Sequence, residues 1–203
     1  MSAQPQPPLT PEQYLEIERA AEVRSEFYGG RMYAMSGGTH PHALVIGNLG
    51  RELGNALKQG PCLVTTSDLR VRVAPDGLYT YPDIVVVCAE PKYVDGHNDT
   101  LLNPVLIVEV LSPSTEAYDR GFKAAQFRQV DSLQEYALVS QTEPRVEVFR
   151  RQAGGLWLLS ESVGLEAACS FESVAVRIPL AEIYSKVPFG GEPPSPRPSP
   201  GLA

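Results

Sequence analysis

The sequence predicts an α/β protein with a central mixed β-sheet flanked by helices and an additional antiparallel β meander. Three observations predict it. Val45, Leu49, Leu53 and Leu57 recur at four-residue spacing, the period of one apolar helix face. From Cys62 to Val110 the texture changes to short β-branched and alternating runs, which suit strands. After residue 135 three further such runs follow at hairpin spacing.

Taken in order, Thr10-Pro-Glu-Gln combines a capping Thr, a Pro at the first helical position and a Gln three residues on, so a helix runs from there to about Ala21. Phe27-Tyr28 and Arg31 to Met35 flank Gly29-Gly30, a pair that supplies the positive φ angles of a tight hairpin. The apolar stripe from Val45 makes a long amphipathic helix between Pro41 and Gly60-Pro61, covering one sheet face. Leu63 to Thr66, Leu69 to Val73, Ile84 to Cys88 and Val105 to Val110 are the expected central strands, with Pro75-Asp76-Gly77 as a turn. Ser112-Pro-Ser-Thr ends the last of these and caps a helix over roughly Tyr118 to Gln129, weakened in its first turn by Gly121. Tyr136 to Ser140, Val146 to Arg150 and Leu156 to Leu159 form the meander.

The 203 residues suit one compact domain, expected over 10–189, between a flexible segment 1–9 and a Pro/Ser-rich tail 190–203 too polar to offset chain entropy. No apolar run approaches the length of a membrane span, and the polar N-terminus lacks the basic and apolar segments of a secretion signal, so a cytoplasmic protein is expected. Cys62, Cys88 and Cys169 are odd in number and widely separated, which suits reduced core thiols better than a disulfide frame or a zinc site. The net charge of −7 argues against a surface coated in positive potential.

Two acidic residues stand where acids need a reason. Asp83 precedes the apolar strand Ile84 to Cys88, where the chain emerges from a core, although Pro-Asp is also common turn chemistry. Glu109 interrupts Val105-Leu-Ile-Val-Glu-Val-Leu, a run that reads as a strand buried on both faces. A carboxylate buried there must be compensated, by a bound cation or by an Arg such as Arg70 or Arg72 on a neighbouring strand. Two carboxylates with waters and phosphate oxygens are the hard donors that Mg²⁺ prefers. Lys123, four residues after Asp119, reads first as half of a surface ion pair.

The stretches Glu26-Phe-Tyr-Gly-Gly-Arg-Met-Tyr-Ala-Met, Ser67-Asp-Leu-Arg-Val-Arg-Val, Tyr81-Pro-Asp-Ile, Val108-Glu-Val-Leu-Ser-Pro-Ser-Thr, Tyr118-Asp-Arg-Gly-Phe-Lys, Gln134-Glu-Tyr and Val146-Glu-Val-Phe occur in that order. Their combination resembles the PD-(D/E)xK nuclease superfamily and, within it, a bacterial family of restriction-endonuclease-like proteins, the Uma-two family. The resemblance implies a restriction-endonuclease-like core and an endonuclease that hydrolyses DNA with Mg²⁺ or Mn²⁺. It maps the two metal-binding acids on Asp83 and Glu109. The superfamily's lysine stands two residues after the second acid, where this chain has Leu111, and the family resemblance moves it to Lys123 on the next helix. Glu26 resembles the superfamily's N-terminal helix acid and joins Asp83, Glu109 and Lys123 as a candidate catalytic residue, although alone it reads as an exposed charge at a helix end. His42 falls in a matching stretch and is as readily a capping or packing residue as a phosphate contact.

DNA contact would come from Arg24, Arg31, Arg51, Arg120, Lys123 and Arg128, and a homodimer would offer two clefts to two strands. Two alternatives stand beside this reading. One is a nuclease-derived binding or interaction module without chemistry. The other is a metal-dependent hydrolase of a small phosphate ester, which needs no basic groove.

Overall fold

The computed structural model describes residues 7–75 and 77–189. Most of the expected flexible N-terminus, Asp76 of the expected turn and the whole 190–203 tail lie outside the described residues.

Helix α1 (Pro11–Ala20) opens on a complete capping box: Gln13 N donates to Thr10 Oγ1 at 3.3 Å, and Thr10 N donates to Gln13 Oε1 at 2.9 Å. Strands β1 (Ser25–Tyr28) and β2 (Arg31–Ala34) form the hairpin, with φ of 57° at Gly29 and 77° at Gly30. Helix α2 (His40–Leu57) follows, then β3 (Leu63–Thr66), β4 (Arg70–Arg72), β5 (Tyr79–Thr80), β6 (Ile84–Val87), β7 (Thr100–Leu101) and β8 (Leu106–Leu111). The next helix is broken into α3 (Glu116–Tyr118), a π-helical turn (Asp119–Lys123) and α4 (Ala124–Phe127). Strands β9 (Glu135–Ser140), β10 (Arg145–Arg151) and β11 (Trp157–Val163) make the meander, and β12 (Ala168–Phe171), β13 (Val176–Pro179) and α5 (Leu180–Ile183) complete the described elements.

The central sheet runs β11-β10-β9-β8-β6-β3, with β8 and β9 parallel and its other pairs antiparallel. The sheet is mixed, and the meander extends it rather than standing apart. On one face Val45, Leu49 and Leu53 of α2 pack on Ile84, Val86, Leu106, Val108 and Val110. On the other, Ala124 and Phe127 of α4 pack on Val85, Ile107, Leu111 and Leu138. Strict alternation along β8 divides its side chains between these two cores and leaves Glu109 among those of the second.

Three expectations change here. Arg70–Arg72 does not join the central strands: it lies in a second sheet, ordered β2-β1-β5-β4-β7, which packs on α1 through Tyr14, Leu15, Phe27 and Tyr79. Strands of three residues or fewer carry too little pattern to declare which sheet they enter. The register Leu63↔Val87 sets Cys62 beside Cys88, and the two form a disulfide across β3 and β6, so only Cys169 is a free buried thiol. Distance along the chain is a poor guide here, because antiparallel pairing erases a 26-residue separation. Reduction of this bond, followed by denaturant unfolding, is expected to lower stability by about 3 kcal/mol through the entropy returned to the unfolded chain. Arg70, one of the two arginines weighed as an alternative partner for Glu109, instead bonds Thr100, Tyr81 and Asp99.

The meander has its own buried anchor. Glu135, fully buried on β9, accepts from Arg150 Nε at 2.8 Å and from the backbone N–H groups of Glu172 and Ser173, both at 3.0 Å. It thereby ties the β12 end to the central sheet. Glu135→Ala leaves the Arg150 Nε–H and two backbone donors without their acceptor and is expected to cost about 3 kcal/mol, read from the urea midpoint at unchanged slope. Among the described residues no helix is long and apolar enough to cross a membrane.

Candidate active site

Asp83 and Glu109 meet because of strand register. Ile84 pairs with Val108 and Val85 with Ile107, so one further antiparallel step sets Asp83 beside Glu109. Backbone bonds fasten the pair: Val110 N donates to Asp83 Oδ2 at 2.7 Å, and Asp83 N donates to Glu109 Oε2 at 3.4 Å. Glu109 is 4% exposed, whereas the Asp83 side chain keeps 16% of its surface open to the cleft.

Lys123 reaches this pair from the π-helical turn. Ala124 N bonds back to Asp119 O, five residues before it, and the widened turn carries Gly121 at its middle. Tyr136 Oη donates to the same Asp119 carbonyl at 3.1 Å. Within that turn Asp119 and Lys123 share a face and both are buried. Lys123 Nζ lies 3.1 Å from Glu109 Oε1, 3.1 Å from Glu26 Oε1 and 3.5 Å from Asp119 Oδ1. The lysine is a buried hub for three carboxylates, not the surface half of an Asp/Lys pair. Leu111, at the position the superfamily gives its lysine, is a core residue packed among the apolar side chains under α4.

Glu26 also departs from expectation. It stands in β1, not at a helix end, and is 8% exposed. Besides Lys123 it accepts from Tyr118 Oη at 3.0 Å and from Thr80 Oγ1. The hairpin register delivers it to the site, and a single acid in a short strand gives no such signal in the sequence.

Two further residues belong to the site. The sequence marks Asp119 only as the i−4 neighbour of Lys123. His42, in the first turn of α2, places Nε2 3.3 Å from Asp83 Oδ2. A cleft of about 260 Å³ opens over the group, lined by Asp83, Glu109, Asp119, Lys123, the Gly37-Gly38-Thr39-His42 start of α2 and the Ser112–Thr115 segment.

Burial, joined by repulsion from Asp83 and Asp119, raises the Glu109 carboxyl well above its ordinary range despite Lys123. Burial likewise raises Asp119. Burial would lower the Lys123 ammonium, but the carboxylates of Glu109, Glu26 and Asp119 outweigh it and hold the lysine firmly charged. His42 moves upward as well: its burial opposes the charged form, and the bond to Asp83 overcomes it. The site thus gathers four acids around one lysine and one histidine, an excess of negative charge at low solvent exposure.

That excess bears on whether a divalent cation fits. Among the described residues no three His, Cys, Asp or Glu side chains converge as a closed metal cage. Mg²⁺ seldom has one, and is commonly held by one or two carboxylates with waters and phosphate oxygens. The adjacent Asp83 and Glu109 carboxylates are all-oxygen donors of that kind, and a cation there would offset the local negative charge.

Of the basic residues expected to meet DNA, Arg24 pairs with Asp68, Arg51 with Glu52 at 2.9 Å, and Arg120 with Glu116 and Glu147 at 2.7 and 2.6 Å. Arg31 and Arg128 are exposed and form no salt bridge among the described residues.

The chain is similar to several known proteins. Residues 11–177 match the model of the Uma2 family, described as "Putative restriction endonuclease". Two uncharacterized proteins of Synechocystis sp. (strain ATCC 27184 / PCC 6803 / Kazusa) are similar in sequence. The protein slr1290 is 38% identical over 156 residues, covering 76% of this chain and 80% of its own. The protein sll1609 is 34% identical over 168 residues, covering 83% of this chain and 95% of its own. The crystal structure of a protein from Anabaena variabilis ATCC 29413, described as a putative nuclease belonging to DUF820, superposes with a TM-score of 0.72 at 20% identity. That match covers 88% of this chain and 98% of the other, and at this identity it speaks to the fold.

Proposed function

This chain belongs to the Uma2 family, and from that membership and the site geometry we propose that it is a metal-dependent endonuclease hydrolysing DNA phosphodiester bonds at the Asp83–Glu109 cleft. The observation that carries the reading is the buried Lys123 ammonium 3.1 Å from Glu109, beside a second strand-end carboxylate. A lysine next to two acids at an open cleft is the set of charges that phosphodiester hydrolysis uses.

Asp83 and Glu109 would hold Mg²⁺ or Mn²⁺, which when bound supplies an activated water and neutralises charge on the phosphodiester. Lys123 stabilises the charge that develops on the phosphate oxygens. Glu26 and Asp119 hold its ammonium in place, acting through the lysine as positioning residues. His42 does the same for Asp83 through Nε2. The N-terminus of the 18-residue α2 opens on the same cleft, and its dipole favours an anionic group there. A two-fold dimer would present a second cleft to the opposite DNA strand.

Hydrolysis of a small phosphate ester is the second reading, favoured by the net charge of −7. Incubating the protein with supercoiled plasmid and, separately, with bis(p-nitrophenyl) phosphate separates the two, each with Mg²⁺, with Mn²⁺ and with EDTA. Nicking that needs the metal, with the small ester left intact, supports the nuclease. Turnover of the ester alone supports the second reading.

A further inference from the structure

Beside the cleft, where Tyr118 and Phe122 adjoin Asp119 and Lys123 on the α3–π segment, lies a second cavity of about 500 Å³, lined by Glu26, Tyr28, Tyr33, Tyr118 and Phe122. Its aromatic residues are unlike those of the core. Tyr14 and Tyr79 are 0% and 1% exposed, whereas Tyr28, Tyr33 and Tyr118 are 36%, 50% and 36% exposed. The rings are nevertheless ordered against one another. Tyr118 stacks on Phe122 with centroids 5.3 Å apart, and Tyr28 meets Phe122 edge-on at 4.7 Å. An exposed aromatic cluster bordering a cavity is surface that a ligand can cover.

Two observations say which ligand. The first is proximity to the cleft: Tyr118 bonds Glu26 at 3.0 Å, and Lys123 Nζ, which lines the cleft, lies 5.5 Å from the centre of the Tyr118 ring and 3.1 Å from Glu26. The second is charge. The hairpin pairs Glu26 with Tyr33 and Tyr28 with Arg31, which sets all four side chains on one face of the hairpin. Arg31 is exposed there and has no acidic partner among the described residues, in a chain of net charge −7. Flat apolar rings on the same hairpin face as an unpaired cation, beside the proposed phosphate cleft, complement a nucleotide.

We propose that this aromatic cavity is a base-stacking platform that takes an unpaired nucleobase of the DNA strand whose phosphate lies in the Asp83–Glu109 cleft, so that the substrate is single-stranded or locally unpaired DNA. The proposal rests on the nuclease reading and sharpens its substrate. Bases in a duplex have both faces covered by their neighbours, and only an unstacked base offers a face to Tyr33 and its neighbours. Arg31 meets the adjoining phosphate. This arrangement also explains how an acidic protein can engage DNA without a basic groove.

The test is equilibrium binding of the full chain, in EDTA, to a fluorescein-labelled oligothymidylate and to a duplex of equal length, read by fluorescence anisotropy. No chemistry occurs under these conditions, so the result is independent of cleavage. The single strand is expected to bind more tightly than the duplex. Tyr33→Ala is expected to weaken single-strand binding about tenfold, and Tyr33→Phe, which keeps the ring, to restore it to within about twofold. Arg31→Ala is expected to reduce the slope of log affinity against log salt by about 0.7. Equal affinity for the two DNA forms, wild-type affinity in a folded Tyr33→Ala variant, or no single-strand binding by the wild type would each overturn the platform. Binding that behaves as expected in a protein that cleaves neither single-stranded DNA nor plasmid with Mg²⁺ or Mn²⁺ would remove the nuclease reading and leave the platform standing.

Discussion

Asp83→Ala is expected to reduce metal-dependent DNA cleavage by about 10³-fold or more, while the protein stays folded. The magnitude follows from the several kcal/mol of charge stabilisation that a bound metal contributes, at about 1.4 kcal/mol for each factor of ten. The structural cost is small by comparison. Asp83 is partly open to the cleft, and its removal leaves mainly the Val110 N–H without its 2.7 Å acceptor, worth about 1 kcal/mol. Plasmid nicking rates and thermal unfolding of the same preparation check both halves. A loss of activity matched by a loss of folding would mean that Asp83 acts only as a structural acceptor.

Lys123→Met is expected to produce the opposite balance, with a large loss of stability beside the loss of activity. Methionine approximates the stem of lysine but removes the one ammonium that faces Glu109, Glu26 and Asp119. Leaving buried acids without their cation typically costs roughly 3–5 kcal/mol. The pH dependence gives this prediction its signature. Burial already raises Glu109 and Asp119 above their ordinary values, and loss of the lysine raises them further. A native state that holds more protons than the unfolded chain gains stability as pH falls, with the gain complete below the unfolded carboxyl range near about 4. The deficit of the variant against wild type is therefore expected to shrink from pH 7 toward pH 5 in urea titrations. A deficit that stays constant over that range would show that Lys123 contributes packing and not charge.

How far the sequence reveals this molecule depends on the length of the pattern each element carries. The 18 residues of α2 repeat their apolar period several times, and the capping box of α1 is a local chemical device, so both are legible from the residues alone. Glu109 is legible for a different reason: an acid inside a buried strand contradicts its surroundings, and the contradiction itself points to a site. The strand Arg70–Arg72 and the pairs Tyr79–Thr80 and Thr100–Leu101 are too short to show which sheet they join. The small β12–β13 sheet and α5 are equally brief, and four residues apiece carry no period that the sequence can display.

The site residues divide along the same line. Asp83 directly precedes β6 and Glu109 lies within β8, two continuously apolar runs in which a charged residue stands out from the residues alone. Lys123 depends on a π-helical turn, which a helical count of 3.6 residues does not foresee. Glu26 and His42 arrive from separate elements, the hairpin and the start of α2, and their roles exist only once the strands have paired. The Cys62–Cys88 bond escapes a sequence reading for the same reason, since it follows from the β3–β6 register and not from spacing along the chain.

The most direct test of the Asp83–Glu109 centre is equilibrium binding of Mn²⁺, followed by electron paramagnetic resonance of the free ion, in the wild type and in Asp83→Asn and Glu109→Gln. These substitutions keep side-chain shape and remove one negative charge each. A metal centre on these two acids predicts a Mn²⁺ site in the wild type that each variant weakens severely, with Mg²⁺ competing for it. Mn²⁺ binding that is unchanged in both variants, or absent from the folded wild type, would contradict it.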